Sequence, residues 1–211
     1  PNSAIMKYMN VKKVPQLLAA TGATKFGDPK NFPWTMGFST SVYRVESGIY
    51  AKYILQNHPN AKVAVLYAND DYGKDIYKGF KDALGARTSM IVAEAPYDSS
   101  DATVDSQITR LRASNADIMV NFSTPRFAAQ AIRKMAEMGW KPLHILNTTA
   151  SSIPSVFRPA GIENAVGIIT AHSSKDPGDP RWKDDPGVLE FRAFMDKYYP
   201  EGDKDNGHNA Y

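Results

Sequence analysis

The segment from Lys62 to Gly73, KVAVLYANDDYG, joins an apolar stretch to side chains that could do chemistry. Asp70 and Asp71 are adjacent carboxylates, and carboxylates that converge from the ends of neighbouring strands bind Mg²⁺. The following apolar stretch, ADIMVNF, leads into Ser123 and supplies no carboxylate at its end. The sequence therefore favours a turn shaped by the two Asp side chains over a metal site.

Small hydroxyl and aromatic residues recur where apolar stretches end. Such groups hydrogen-bond a ligand and cover its apolar part, but they supply neither a general base nor a strong nucleophile. This pattern is more typical of a binding protein than of an enzyme. The residues concerned are Thr21, Gly22, Thr24, Tyr72, Ser123, Thr124, Thr148 and Thr149.

Signatures of cofactor, metal and nucleophile sites are missing from the sequence. No GxGxxG, GxxxxGK, GxSxG or HExxH motif occurs, and there is no cysteine. The four histidines have no partner at ligand spacing, so packed or surface histidines are expected. Asp98, Asp101 and Asp105 lack the glycine and terminal glutamate of a calcium loop. We therefore predict no cofactor, no metal and no catalytic residue.

Apolar segments alternate with segments of helical period along most of the chain, which predicts a doubly wound parallel α/β sheet. Thr124 and Pro125 form an explicit helix start, as do Asp185 and Pro186. Ser3 is expected to cap a first helix ending near Asn10, and residues 39–41 to cap a second. Strands are predicted at 16–20, 34–38, 63–67, 89–95, 117–122, 142–146 and 166–170, and helices at about 43–56, 74–85, 104–111, 125–139 and 186–199.

The composition is that of an ordinary soluble protein, with 211 residues, 43% hydrophobic and 22% charged. The formal charge of +3 is spread without a basic run, so a nucleic-acid partner is not favoured. No apolar run reaches the roughly 20 residues of a membrane span. The absence of cysteine is compatible with either the cytoplasm or the periplasm.

An ordered set of segments resembles a known family. These segments are VPQLLAATGAT, FPWTMGFSTS, AKYILQNHPNAKVAVLYANDDYGKD, PRFAAQAIRKMAEMGWKPLHILN and FMDKYYP. They are similar to the Leu/Ile/Val-type substrate-binding proteins of ABC transporters, which have the type I periplasmic binding fold. The similarity runs along nearly the whole chain and implies a Rossmann-like lobe of a two-lobed receptor.

The resemblance implies how the chain is divided. Residues 1–38 would be the last part of the first lobe, 39–171 most of the second lobe, and 172–211 an incomplete return to the first. Phe38–Ser41 and Ala171–Ser174 would be the hinge crossings. Family members carry a signal peptide and further βα units of the first lobe before this region, so we expect a fragment with an incomplete ligand cleft.

The resemblance also implies roles for particular residues. Gly22, Ala23 and Thr24 match first-lobe groups that bind a ligand carboxylate, and Tyr72 matches an aromatic that covers the ligand. Ser123 and Thr124 fall at the second-lobe position where the family often has another aromatic.

The family's acid for a ligand ammonium would fall at Thr148 or Thr149, where no carboxylate occurs. Burying an unpaired ammonium is costly, so a small organic acid is favoured over an amino acid unless Asp70 or Asp71 substitutes. The free N–H groups at Thr124–Pro125 are expected to favour its carboxylate.

These inferences predict a monomeric periplasmic solute receptor that closes on a small carboxylate or amino acid and delivers it to an ABC permease in the membrane. The first alternative is a ligand sensor of the same fold, coupled to a regulator. The second, less favoured, is an α/β enzyme with an unrecognised site.

Overall fold

The computed structural model describes residues 2–39, 42–172 and 174–205, which contain two parallel sheets. The smaller sheet pairs two strands, and the larger has four strands in the order β4-β3-β5-β6. All pairs are parallel, so the predicted α/β class is confirmed. The strands are β1 (Gln16–Ala20), β2 (Thr35–Phe38), β3 (Val63–Ala68), β4 (Ile91–Tyr97), β5 (Ile118–Phe122) and β6 (Leu143–Leu146).

Helices follow most strands and cover both faces of the larger sheet. Side chains of α2 and α3 pack on one face, and those of α4 and α5 pack on the other. The helices are α1 (Asn2–Lys12), α2 (Tyr43–Asn57), α3 (Asp71–Leu84), α4 (Asp105–Ala113), α5 (Pro125–Glu137), a single turn α6 (Arg158–Ala160) and α7 (Pro186–Tyr198).

The inner strand β3 shows why its sequence is apolar throughout rather than alternating. Val63 and Val65 pack in the core under α2 and α3, whereas Ala64 and Leu66 pack in the core under α4 and α5. All four side chains are fully buried. A strand covered on both faces needs apolar residues at every position, as its sequence predicted.

Close packing of α2 on α3 depends on Gly79. A Cβ atom at this position would lie 2.6 Å from Ser47 Oγ and 2.7 Å from Arg44 Cα. The missing side chain therefore lets the two helices approach more closely than any larger residue would allow.

Several predicted boundaries are wrong for identifiable reasons. Ser3 does not cap α1, because the helix already begins at Asn2. The residue before α2 is Val42, which makes no side-chain cap, whereas Thr40 and Ser41 lie outside the described residues. Residues 89–90 belong to a 3₁₀ turn, Gly85–Met90, that delays β4 until Ile91.

The strand predicted at 166–170 is also wrong. Only an isolated bridge between Ile145 and Ile169 is present. Beyond it, the Tyr50 hydroxyl accepts a hydrogen bond from Ala171 N at 3.3 Å, and its oxygen lies 3.1 Å from Leu146 O. A side chain of α2 thus replaces direct backbone pairing at this edge of the sheet.

The smaller sheet leaves large apolar side chains exposed. Leu17, Leu18 and Phe38 are 66%, 58% and 60% exposed. A two-stranded sheet buries little by itself and gains stability from elements packed on it. The predicted lobe boundaries and hinge crossings stay predictions, and Thr40, Ser41 and Ser173 of those crossings lie outside the described residues.

Among residues 2–39, 42–172 and 174–205, no helix is long and apolar enough to cross a membrane.

Candidate ligand site

The strand order defines where a ligand site is expected. From β3 the chain moves to β4 on one side, and it then returns to place β5 on the other side of β3. The loops after β3 and β5 therefore leave in opposite directions, which is the position where open α/β sheets bind ligands. NDDYG follows β3, and Ser123 and Thr124 follow β5.

The NDDYG turn is shaped by Asp70 and Gly73. Asp70 is the N-cap of α3, and its carboxylate accepts a hydrogen bond from Gly73 N at 2.9 Å. A Cβ at Gly73 would lie 2.0 Å from the Ala68 carbonyl oxygen, so only glycine allows the helix to start this close to the strand end. The predicted role of Asp70 in the turn is confirmed.

Asp71 forms an ion pair with the segment that follows β1. Its carboxylate lies 2.7 Å from Lys25 Nζ. The hydrogen bond from Lys25 lowers the pKa of Asp71 below its ordinary value. With Asp70 capping a helix and Asp71 paired, neither acid is placed to replace the missing ammonium partner.

Tyr72 packs against both cores of the larger sheet. Its ring packs edge-to-face on Tyr43, with centroids 4.8 Å apart, and Tyr43 N donates to Gly22 O at 3.0 Å. Its hydroxyl oxygen is buried without a hydrogen-bond partner among the described residues. Burial, and next the negative charge of Glu46, raise the pKa of Tyr72 well above its ordinary value.

The predicted first-lobe contacts line one cavity. It has a volume of about 270 Å³ and is open to solvent beside the ends of β1 and β2. Small residues dominate its wall, with Phe26 as an apolar surface. The lining residues are Thr21, Gly22, Ala23, Thr24, Phe26, Gly27, Gly37, Ser39 and Val42.

Thr24 holds a carboxylate at the edge of this cavity. Its N–H and its hydroxyl donate to the same oxygen of Asp75, Oδ2, at 3.0 and 3.1 Å. The other Asp75 oxygen lies 3.2 Å from Arg44 Nε. The resemblance assigns Thr24 to a ligand carboxylate, and that role stays a prediction. The carboxylate that Thr24 holds here comes from a side chain of α3, which the sequence did not indicate.

Ser123 and Thr124 form a different environment. Ser123 is fully buried and donates to the Asn121 side chain. Thr124 N donates to Tyr97 Oη at 2.9 Å. The N–H of Thr124 itself is therefore not free, because the hydroxyl of a tyrosine from β4 accepts it, whereas the predicted anion site at the start of α5 stays a prediction.

Thr148 is held by an acid that comes from elsewhere in the chain. Glu46 of α2 is 3% exposed, and its Oε1 accepts hydrogen bonds from Thr148 N at 2.6 Å and from Tyr50 Oη at 2.9 Å. The Thr148 hydroxyl donates to Ala171 O at 2.5 Å. Thr149 instead lies beside Tyr72.

The structure thus separates the predicted residues into two groups. Gly22, Ala23 and Thr24 line the cavity, and Tyr43 connects that region to Tyr72 and onward to Thr149. Ser123, Thr124 and Thr148 are tied into local hydrogen bonds.

Sequence reasoning missed Glu46, Asp75 and Asn147. Glu46 and Asp75 lie within helices and belong to no motif. Glu46 could have been recognised as an acidic residue on the buried face of α2. No group of three or more His, Asp or Glu side chains within the described part of the chain is arranged to hold a metal ion.

A family model described as periplasmic binding protein matches residues 2–211. The chain therefore belongs to the periplasmic binding protein family. No curated protein matches it.

Solved structures share its type I fold. A substrate-binding periplasmic protein from Ralstonia solanacearum has a TM-score of 0.77 at 22% identity, over 92% of this chain and 53% of its own. A branched chain amino acid ABC transporter protein from Thermus thermophilus with bound valine has a TM-score of 0.76 at 20% identity, over 94% of this chain and 50% of its own.

A fatty acid ABC transporter substrate-binding protein from Thermomonospora curvata has a TM-score of 0.74 at 20% identity, over 95% of this chain and 50% of its own. The chain thus spans about half the length of these structures. At these identities the likeness shows the fold, and it leaves the ligand open.

Proposed function

We propose that the chain is part of an extracytoplasmic solute receptor that binds a small organic carboxylate or amino acid. The single observation that carries the proposal is the pair of Thr24 donors that converge on one carboxylate oxygen of Asp75. Two donors on one oxygen, at the mouth of a cavity, would hold a ligand carboxylate in the same way.

The cavity beside Thr24 suits a small ligand. Its wall of glycine, alanine and threonine leaves backbone groups accessible, and Phe26 supplies apolar contact. At about 270 Å³ it lies near the lower end of the usual range for ligand pockets, roughly 300–1,000 Å³. A ligand of a few carbon atoms with one carboxylate fits these features better than a long acyl chain.

An amino acid is the second candidate ligand, and Glu46 favours it. The position that the resemblance assigns to the ammonium partner is Thr148 or Thr149, and the Glu46 carboxylate lies 2.6 Å from Thr148 N. An ammonium near this acid would be charge-paired, which lowers the cost of burying it.

Transport is the proposed role of binding. Family membership and the ABC transporter proteins among the structural neighbours support a periplasmic receptor that presents its ligand to a membrane permease. We expect a monomer.

A ligand sensor coupled to a regulator is the alternative function. Neighbouring genes for a permease and an ATPase would indicate transport, whereas a neighbouring gene for a regulator would indicate sensing. Turnover of a bound ligand would instead indicate an enzyme.

The direct test is a thermal-shift screen of short organic acids and amino acids, followed by calorimetry on the compounds that stabilise the protein.

Thr24→Val should weaken binding of a carboxylate by about 10- to 100-fold, because a hydrogen bond to a charged group contributes roughly 1.5–3 kcal/mol. Thr109→Val is the control, since Thr109 is exposed on α4. Failure of every carboxylate and amino acid to bind would contradict the proposal.

A further inference from the structure

Asn147, directly after β6, has an unusual side chain. The residue is fully buried, yet both its Nδ2 donor and its Oδ1 acceptor lack a hydrogen-bond partner among the described residues. Leaving a buried polar group unpaired costs roughly 1–3 kcal/mol. Such groups are rare in native proteins and are concentrated where a ligand or an ordered water completes the bonding.

Asn147 and Tyr72 follow strands of the same sheet. Asn147 lies at the carboxyl edge of the larger sheet, two residues before Thr149, whose hydroxyl lies beside Tyr72. Tyr72 Oη is itself buried without a partner among the described residues. Two buried side chains that lack hydrogen-bond partners among the described residues therefore lie at the ends of β3 and β6, the strands that flank β5.

The hydrogen-bonding capacity of Asn147 Nδ2 and Oδ1 indicates which ligand group would pair with them. A carboxamide with an unpaired donor and an unpaired acceptor is matched by a group that presents an acceptor and a donor side by side, as another amide or a urea does. A carboxylate would leave Oδ1 unpaired, and the nearby Glu46 disfavours a second negative charge. An ammonium would leave Nδ2 unpaired.

We propose that Asn147 and Tyr72 form a specificity subsite for a neutral amide or ureido group of the ligand. This inference rests on the proposed function, in which Thr24 holds a carboxylate at the other end of the same ligand. Asn147 pairs with the amide through two hydrogen bonds, and Tyr72 Oη donates a third to its carbonyl oxygen.

The test compares three acids of similar length that differ in one end group: succinamate (amide), levulinate (methyl ketone) and γ-aminobutyrate (ammonium), together with their one-carbon-longer homologues. Calorimetry on the full chain should show an amide bound at least about tenfold more tightly than the matching ketone, because a site built for an N–H rejects an analogue that lacks it.

Asn147→Leu should reduce this preference to less than about threefold, while the unfolding temperature of the ligand-free protein stays the same or rises, because no hydrogen bond is lost. Tyr72→Phe is the second variant and removes only the unpaired hydroxyl. Gln130→Met is the matched control, since Gln130 Oε1 is also buried and has no partner in the described part of the chain, but lies on α5, where its amide nitrogen donates to Ala102 O.

The subsite would be overturned if the amides were not preferred, or if the preference survived both Asn147→Leu and Tyr72→Phe. It would also be overturned if Asn147→Leu lowered the stability and left the preference unchanged, which is the result expected when Asn147 binds an ordered structural water. In each of these cases carboxylates still bind, so the proposed function stands. If no acid of either chain length binds and the wider screen also fails, both proposals are rejected.

Discussion

Tyr72 is the residue whose identity matters most to the proposed site. Its ring lies against Tyr43, and its hydroxyl is buried near Glu46 and Thr149. If it covers the ligand, Tyr72→Ala should weaken carboxylate binding by more than about tenfold, since buried aromatic contacts dominate many binding sites. Calorimetry measures this, with the 62% exposed Tyr8 changed to Ala as control. An unchanged affinity would remove Tyr72 from the site.

His144 makes a prediction about pH. The residue is 7% exposed on β6, and burial lowers its pKa from 6.5 to about 4. Between these values the unfolded chain binds a proton that the folded protein does not. Stability is therefore lost as the pH falls from 6.5 toward 4, by roughly 3 kcal/mol if His144 acts alone.

The measurement is urea unfolding of wild type and His144→Gln at several pH values between 4 and 7. Gln keeps a hydrogen-bonding group beside Asn121, whose Nδ2 lies 3.3 Å from His144 Nε2. The substitution should make the fall in stability on acidification shallower. Parallel pH profiles of the two proteins would show that His144 is not the responsible group.

At the scale of elements, the packing of α2 on α3 makes a prediction about two glycines. Gly79→Ala should destabilise the protein by about 1–3 kcal/mol, because the new Cβ would clash with Ser47 and Arg44. Gly48→Ala is the matched control. Its nearest neighbour would be Ala83 Cβ at 4.0 Å, and alanine favours a helix by about 1 kcal/mol over glycine.

Chemical unfolding would measure both effects. The free energy of unfolding should fall in Gly79→Ala and stay constant or rise in Gly48→Ala. Equal effects of the two substitutions would mean that helix propensity, rather than the distance between α2 and α3, decides the outcome.

At the scale of the whole molecule, Asp75 connects α3 to the segment after β1. It occupies the Thr24 donors that are proposed to bind the ligand carboxylate, so the two carboxylates compete. Asp75→Ala should therefore raise the affinity for a carboxylate ligand by about three- to tenfold, equivalent to roughly 0.7–1.4 kcal/mol.

Asp82→Ala is a matched control for this prediction. Asp82 is on the same helix and also pairs with Arg44, at 3.4 Å, but it does not contact Thr24. Titration of both variants with the same acid decides the question. A weaker affinity in Asp75→Ala would mean that Asp75 helps to hold the two parts together around the ligand and does not compete with it.

The sequence predicted the fold well because its signals are local. The continuous apolar run of β3, the Asp70 cap, and the Thr124–Pro125 start of α5 each depend on residues within a few positions of one another. The strand expected at 166–170 is wrong because Val166 and Gly167 form a turn, in which Ile168 N donates to Ala165 O at 3.2 Å, so that only Ile169 pairs with β6.

The sequence by itself determined the α/β class and most of the order of its elements, since composition, periodicity and an ordered set of segments carry that information. The ligand-binding roles that the resemblance implies for Gly22–Thr24 stay predictions. Only the tertiary structure decided the partners of these groups: Asp75 on Thr24, Glu46 on Thr148 and Tyr97 on Thr124. It also left the buried side-chain amide of Asn147 without a partner among residues 2–39, 42–172 and 174–205. The physical reason is that hydrogen bonds and charge pairs depend on distance in space, and folding brings together residues that no sequence spacing relates.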